Sequence, residues 1–152
     1  MDNRSLALNK RLKTDRYINI VFVIVEFLIG LIQLIQFIRT GDTMALRRSI
    51  HAIFGAVALF LLSLILKRIA ITGKPFDTKI INLMKVIAVV IMVGGLLPPF
   101  AEGFVEVTKG NTFDLNFGDI DILIPLAGVI VGIISEIFVY GNELQEDNDL
   151  IA

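Results

Sequence analysis

The chain contains no cysteine, which excludes disulfides, thiolate metal sites and cysteine nucleophiles. Its single histidine, His51, has no carboxylate or cysteine beside it in the sequence, and such a histidine is a poor metal ligand on its own. No Gly-rich phosphate loop, H-E-x-x-H or G-x-S-x-G pattern occurs, and Ser135, next to Glu136, has no histidine at comparable depth to serve as its base. Catalysis is therefore not expected, nor is a cofactor or direct contact with nucleic acid. Charge is scarce as well: 19% of the 152 residues are charged, against roughly 25% in an ordinary soluble domain. The 14 basic and 15 acidic side chains leave a net charge of −1, so their placement says more than their sum.

What is abundant is apolar. Hydrophobic residues make up 55% of the chain and the mean hydropathy is +0.79. They lie in long blocks rather than at amphipathic spacing, so the excess must face something other than water. A bilayer core about 30 Å thick needs about 20 helical residues, because every backbone amide must find its partner inside the span. Four segments meet that need or come close to it within a single domain covering 1–152, the second being the shortest: spans of about 18–38, 50–66, 80–97 and 122–140. Pro98 and Pro99 are expected to end the third, since neither ring nitrogen donates to a helix. Pro125 falls near the entry of the fourth, where a missing N–H matters least. A cleaved signal peptide is not expected: the first apolar block is 21 residues long, against about 7 to 15 in a signal h-region.

Lys and Arg counts set the orientation, because basic residues in short loops stay in the cytoplasm. Nine flank the ends bearing the termini and the loop between spans two and three; four lie on the other side, and Lys85 sits within a span. Both termini are thus expected inside, although Arg39, Arg47 and Arg48 crowd the poor side. The outer segment Phe104–Thr108, Lys109-Gly110-Asn111, Thr112–Phe117 alternates about a Gly-Asn turn and reads as a small β-hairpin. With Glu102, Glu106, Asp114, Asp119 and Asp121 it would form an acidic cap. The expected fold is an all-α membrane protein, a four-helix transmembrane bundle with that hairpin between spans three and four.

Charges at span positions cost roughly 2.5 to 3.5 kcal/mol each on insertion scales, so Glu26, Lys85 and Glu136 need partners or access to the interface. At helical rise they lie roughly 12, 8 and 6 Å from the cytoplasmic edge. The plainer reading is that Lys85 and Glu136 snorkel to the interface while Glu26 pairs with one cation, a structural polar network closing the bundle, with Gln33 and Asn82 as further members. A proton or ion relay is the sharper reading, but spans three and four carry no ionisable group in their outer halves. Small residues mark helix packing: Gly128 and Gly132 lead to Glu136 every four residues, Glu26, Gly30 and Gln33 share a stripe, and span two offers His51, Gly55 and Ala58. Self-association through the Gly128 and Gly132 ridge competes with packing inside one chain.

At the cytoplasmic edge the stretch Arg4–Arg16 carries five cations and suits the anionic inner leaflet. The stretch after Asn142 is acidic, with Glu143, Glu146, Asp147 and Asp149, and is expected to project from the membrane or to meet a basic partner. Gly141 after Tyr140 reads as a hinge or helix stop that frees this tail. Gly73 and Pro75 read as a rigid turn delivering Phe76 to the interface.

The run Glu136-Ile137-Phe138-Val139-Tyr140-Gly141-Asn142-Glu143-Leu144-Gln145-Glu146-Asp147-Asn148-Asp149-Leu150 and the motif Gly73-Lys74-Pro75-Phe76 resemble the corresponding parts of bacterial four-span membrane proteins grouped as domain of unknown function 2975. The resemblance implies a small multi-pass protein of the bacterial plasma membrane without assigned chemistry, often encoded beside a short helix-turn-helix DNA-binding regulator. On that reading Gly73, Lys74, Pro75, Phe76, Tyr140, Gly141, Glu143, Gln145, Asp147 and Asp149 form a cytoplasmic docking surface for such a regulator. The alternative is a small oligomeric transporter, channel or peptide-resistance component that uses Glu26, Lys85 and Glu136 along an inner vestibule.

Overall fold

The computed structural model describes residues 3–113, 115 and 120–151, with side chains over 10–113, 115, 120–144 and 147. Four helices account for nearly all of them: α1 (Asn3–Thr40), α2 (Thr43–Thr72), α3 (Thr78–Thr108) and α4 (Leu123–Ile151). Glycine and aspartate punctuate the chain between them. Gly41, Gly73 and Gly110 adopt positive φ angles of 69°, 66° and 86°, a left-handed turn that only glycine makes without strain. Gly41 and Gly73 each donate their N–H back to the preceding helix, to Phe37 O at 2.7 Å and Ile69 O at 2.8 Å. The aspartates open the next helices. Asp42 accepts from the Met44 N–H at 3.0 Å, Asp77 from Lys79 at 2.8 Å and Asp121 from Leu123 at 3.2 Å, each satisfying an amide that the helix leaves without a partner.

All four helices contain a stretch long and apolar enough to cross a bilayer, and the chain is read as a multi-pass membrane protein. The links at 41–42 and 73–77 are short and that at 109–122 is longer; α1 packs along α2, α2 along α3 and α3 along α4, while α1 and α4 share no comparable seam. Helices α2 and α3 are the inner pair and hold most of the buried residues. A cluster of Ile65, Ile80 and Ile87, lined by Leu61, Leu83, Met84 and Val131, joins α2, α3 and α4. Both chain ends lie at one end of the helices, called the terminal end below; the links after α1 and α3 lie at the distal end.

Two expectations need correction. Pro98 and Pro99 do not end the third span: α3 runs through both to Thr108. The prolines deprive the carbonyls of Gly94 and Gly95 of their i+4 donors, at about 3 kcal/mol each in a helix interior, but close packing holds the segment helical. A Cβ on Gly94 would stand 2.6 Å from Phe54 Cβ, and one on Gly95 2.6 Å from Pro125 Cδ. Pro98 and Pro99 are themselves buried.

The β-hairpin is the second correction. Phe104–Thr108 is the last stretch of α3, and the described residues contain no strand. The Gly-Asn turn is the cap of that helix, with Gly110 N–H donating to Val107 O and Asn111 N–H to Glu106 O. Asp114, Asn116 and Phe117 of the expected second strand, and Asp119 of the acidic cap, lie outside the described residues. Helical spacing gives the acids partners: Glu106 accepts from Lys109 Nζ at 2.8 Å and Asn111 Nδ2 at 2.7 Å. Phe113 folds back onto Phe104, ring centroids 5.3 Å apart, over the bare backbone of Gly103.

Candidate functional site

The first span packs on the second through Ser49, Ala52 and Ile53 of α2, next to the face that carries His51, Gly55 and Ala58. Gly30 is buried against α2, where a Cβ would lie 2.9 Å from Ile53, and its carbonyl accepts from Ser49 Oγ at 2.9 Å. Asn19 secures the same seam nearer the terminal end, donating to Leu59 O at 2.6 Å. Beside this seam a cleft of about 650 Å³ opens, lined by Glu26 and Gln33 of α1, Arg48, His51 and Gly55 of α2, and apolar walls that include Leu59 and, from α3, Ile91. Gly55 keeps it open, for a Cβ on that residue would meet nothing within 4 Å.

Glu26 has neither an ion pair nor a hydrogen bond among the described residues. Its carboxylate lies roughly 10 Å along the helix axis from Gln33, seven residues on. Gln33 Oε1 and His51 Nε2 are buried without a partner, each an uncompensated desolvation of about 1 to 3 kcal/mol. Glu26 and Arg48 leave the lining without net charge, so the cleft is an apolar-walled cavity with a few polar groups. Among the described residues no three His, Asp or Glu side chains gather as a metal-ligand set.

Lys85 and Glu136 are elsewhere. They pair across the α3–α4 seam at 2.8 Å, with side chains 46% and 60% exposed, and so face the lipid rather than a common vestibule with Glu26. Glu26 and Gln33 thus line one cleft about two helical turns apart and Lys85 pairs with Glu136, but the two sets do not join. Asn82 belongs to neither and faces a groove between α2 and α3. The glycines of span four differ from each other. Gly128 is pressed onto α3, where a Cβ would stand 2.6 Å from Met92 Cγ and 2.8 Å from Ala88 O, whereas one on Gly132 would make only ordinary contact.

At the terminal end Gly73 closes α2 and the link turns at Pro75-Phe76, carrying the Phe76 ring onto α4. Phe76 meets Phe138 with centroids 5.1 Å apart and lies over Gly141. This corrects the reading of Gly141 as a hinge or helix stop: α4 continues through it to Ile151, and the missing side chain makes room for Phe76. Tyr140, Glu143 and Asp147 are exposed on that continuation, and Lys74 and Pro75 are exposed on the link. The side chains of Gln145 and Asp149 lie outside the described residues. The basic stretch Arg4–Arg16 is likewise part of one unbroken helix with the first span.

Sequence reasoning missed two ion pairs. Arg47 donates to Glu102 from Nε at 2.7 Å and from Nη2 at 2.5 Å, tying α2 to α3 at the distal end. Arg68 donates to Asp77 Oδ2 from Nε at 2.9 Å and from Nη2 at 2.6 Å. These bonds, together with the Lys79 amide, hold the Asp77 carboxyl below the ordinary carboxylate range. An acid and an arginine at neighbouring span ends were the available signal. Arg48 was also missed, having been counted only with the loop charges.

No family model matches the chain, and neither a curated protein nor a solved structure matches it.

Proposed function

We propose that this chain is an interaction protein of the bacterial plasma membrane, with both termini in the cytoplasm, that docks a basic cytoplasmic partner such as a small helix-turn-helix regulator. The observation that carries this reading is the seat of Phe76 on Gly141. It clasps the α2–α3 link to α4 and supports a helix whose exposed Glu143 and Asp147 stand clear of the apolar span. A helix held at its base presents its charges at fixed spacing, which favours recognition over a flexible acidic tail. The two stretches that carry the family resemblance are the two that touch here.

Capture from native membranes, identified by mass spectrometry, tests the proposal. Wild-type protein should retain a basic cytoplasmic protein that Glu143→Lys/Asp147→Lys loses. Equal capture by both overturns the reading.

A second reading has its own support. The unpaired Glu26 in its cleft favours a small transporter, channel or peptide-resistance component, in which α1 and α2 supply the path and a second copy completes it. Proteoliposome flux that Glu26→Gln abolishes in a folded protein would favour this reading over docking.

A further inference from the structure

A groove of about 490 Å³ runs between α2 and α3 at the terminal end. Its α3 wall is one helical stripe, Lys79, Asn82, Leu83 and Val86, spaced at i, i+3, i+4 and i+7. Its α2 wall carries Leu64, Lys67 and Arg68. The polarity is graded along the groove: Lys79 lies at the mouth, where α3 begins, and Leu64 and Val86 lie towards the middle of the helices. Seven residues separate Lys79 from Val86, a rise of roughly 10 Å.

Three cations therefore line one apolar furrow at the ends of α2 and α3. Arg68 is oriented by its ion pair with Asp77 at 2.6 Å. Lys67 and Lys79 are exposed, and among the described residues neither side chain is in an ion pair or hydrogen bond, although Lys79 attracts Asp77 through space. Even with Asp77 counted, three positive charges against one negative leave the groove at +2. Asn82, also unpaired and exposed, adds a neutral donor one turn below Lys79.

We infer that this groove is a binding site for an anionic phospholipid, its phosphate held by Lys67 and Lys79 and its acyl chain laid along Leu83 and Val86. A water-soluble anion would satisfy the lysines but leave the apolar wall uncovered. The chain's own acids are no substitute, because α4 packs on α3 through a different face, where Lys85 meets Glu136. Basic pockets between spanning helices at a charged leaflet hold headgroups in this way. The inference does not depend on the docking reading, since it needs only the groove and a bilayer.

Native mass spectrometry of the full-length protein tests it, with phosphatidylglycerol and phosphatidylcholine of identical acyl chains offered together. Wild-type protein should retain phosphatidylglycerol preferentially. A lysine near the surface is worth about 1 kcal/mol, or about fivefold, so Lys67→Gln/Lys79→Gln should weaken retention about twenty-five-fold. The equal charge change Arg39→Gln/Lys109→Gln, made at the distal end away from the groove, should leave it nearly unaltered. Val86→Trp, which fills the furrow without touching charge, should also release the lipid. Equal retention of the two lipids, an equal loss in the control pair, or full retention in Val86→Trp overturns the proposal.

Discussion

Phe76 covers Gly141 so closely that a Cβ there would stand 2.9 Å from the ring. Gly141→Leu should therefore drive the α2–α3 link off α4, with a loss of about 1 to 3 kcal/mol, the usual range for overpacking. Thermal melting in detergent should show the drop, and limited proteolysis between Gly73 and Asp77 should become faster. If Gly141→Leu melts and resists proteolysis like wild type, the clasp is not a stabilising contact.

Gly128 and Gly132 look equivalent in sequence, yet their substitution should give opposite results. Gly128→Ala places a methyl 2.8 Å from the Ala88 carbonyl, a clash with backbone that does not yield cheaply. Gly132→Ala meets only Ala88 Cβ at 3.7 Å and removes helical glycine, a gain of about 0.5 to 1 kcal/mol. The melting temperatures should bracket that of the wild type, and the same sign for both would refute the packing assigned to α4.

The Arg47–Glu102 pair is two-pronged and mostly shielded, with side chains 18% and 16% exposed. Arg47→Met and Glu102→Gln should each destabilise the distal end. The double variant should lose less than the sum, with a coupling of about 0.5 to 3 kcal/mol. Additive effects in a double-mutant cycle would show that the pair contributes no interaction of its own.

Asp77 gives a dependence on pH. Its carboxyl is acidified in the folded chain, chiefly by Arg68 and then by the Lys79 amide, so the unfolded state binds the proton more tightly. Its contribution is present above the unfolded value, about 3.9, and is lost as pH falls through the lower folded value. Asp77→Asn keeps a capping side chain and removes the charge, so it should flatten stability on the acid side. An acid limb identical to that of wild type would disprove the assignment.

The four spans were legible because uninterrupted apolar runs of this length have few other solutions. Of the two stripes read from the sequence, Glu26 and Gln33 of α1 and His51, Gly55 and Ala58 of α2 line the cleft, while Gly30 packs directly on α2. What escaped depended on contacts remote in sequence. Pro98 and Pro99 looked like a stop because the close approaches of Phe54 to Gly94 and of Pro125 to Gly95 are tertiary. Phe104–Thr108 alternates like a strand, yet its one acid, Glu106, finds Lys109 at helical spacing. Gly141 suggested a break, when the empty space at its Cα belongs to a residue 65 positions earlier. Lys85 and Glu136 lay close enough in depth to group with Glu26, but depth alone does not say which neighbouring helix each one faces.

The order of packing, α1 on α2 on α3 on α4, bears on how the protein is made. Each half, α1 with α2 and α3 with α4, is a helical hairpin with its own seam, and the halves meet along α2 and α3 and join covalently only at residues 73–77. Such a chain is suited to enter the bilayer two helices at a time. Two separately translated halves, cut within that link, should find each other in the membrane and restore the whole.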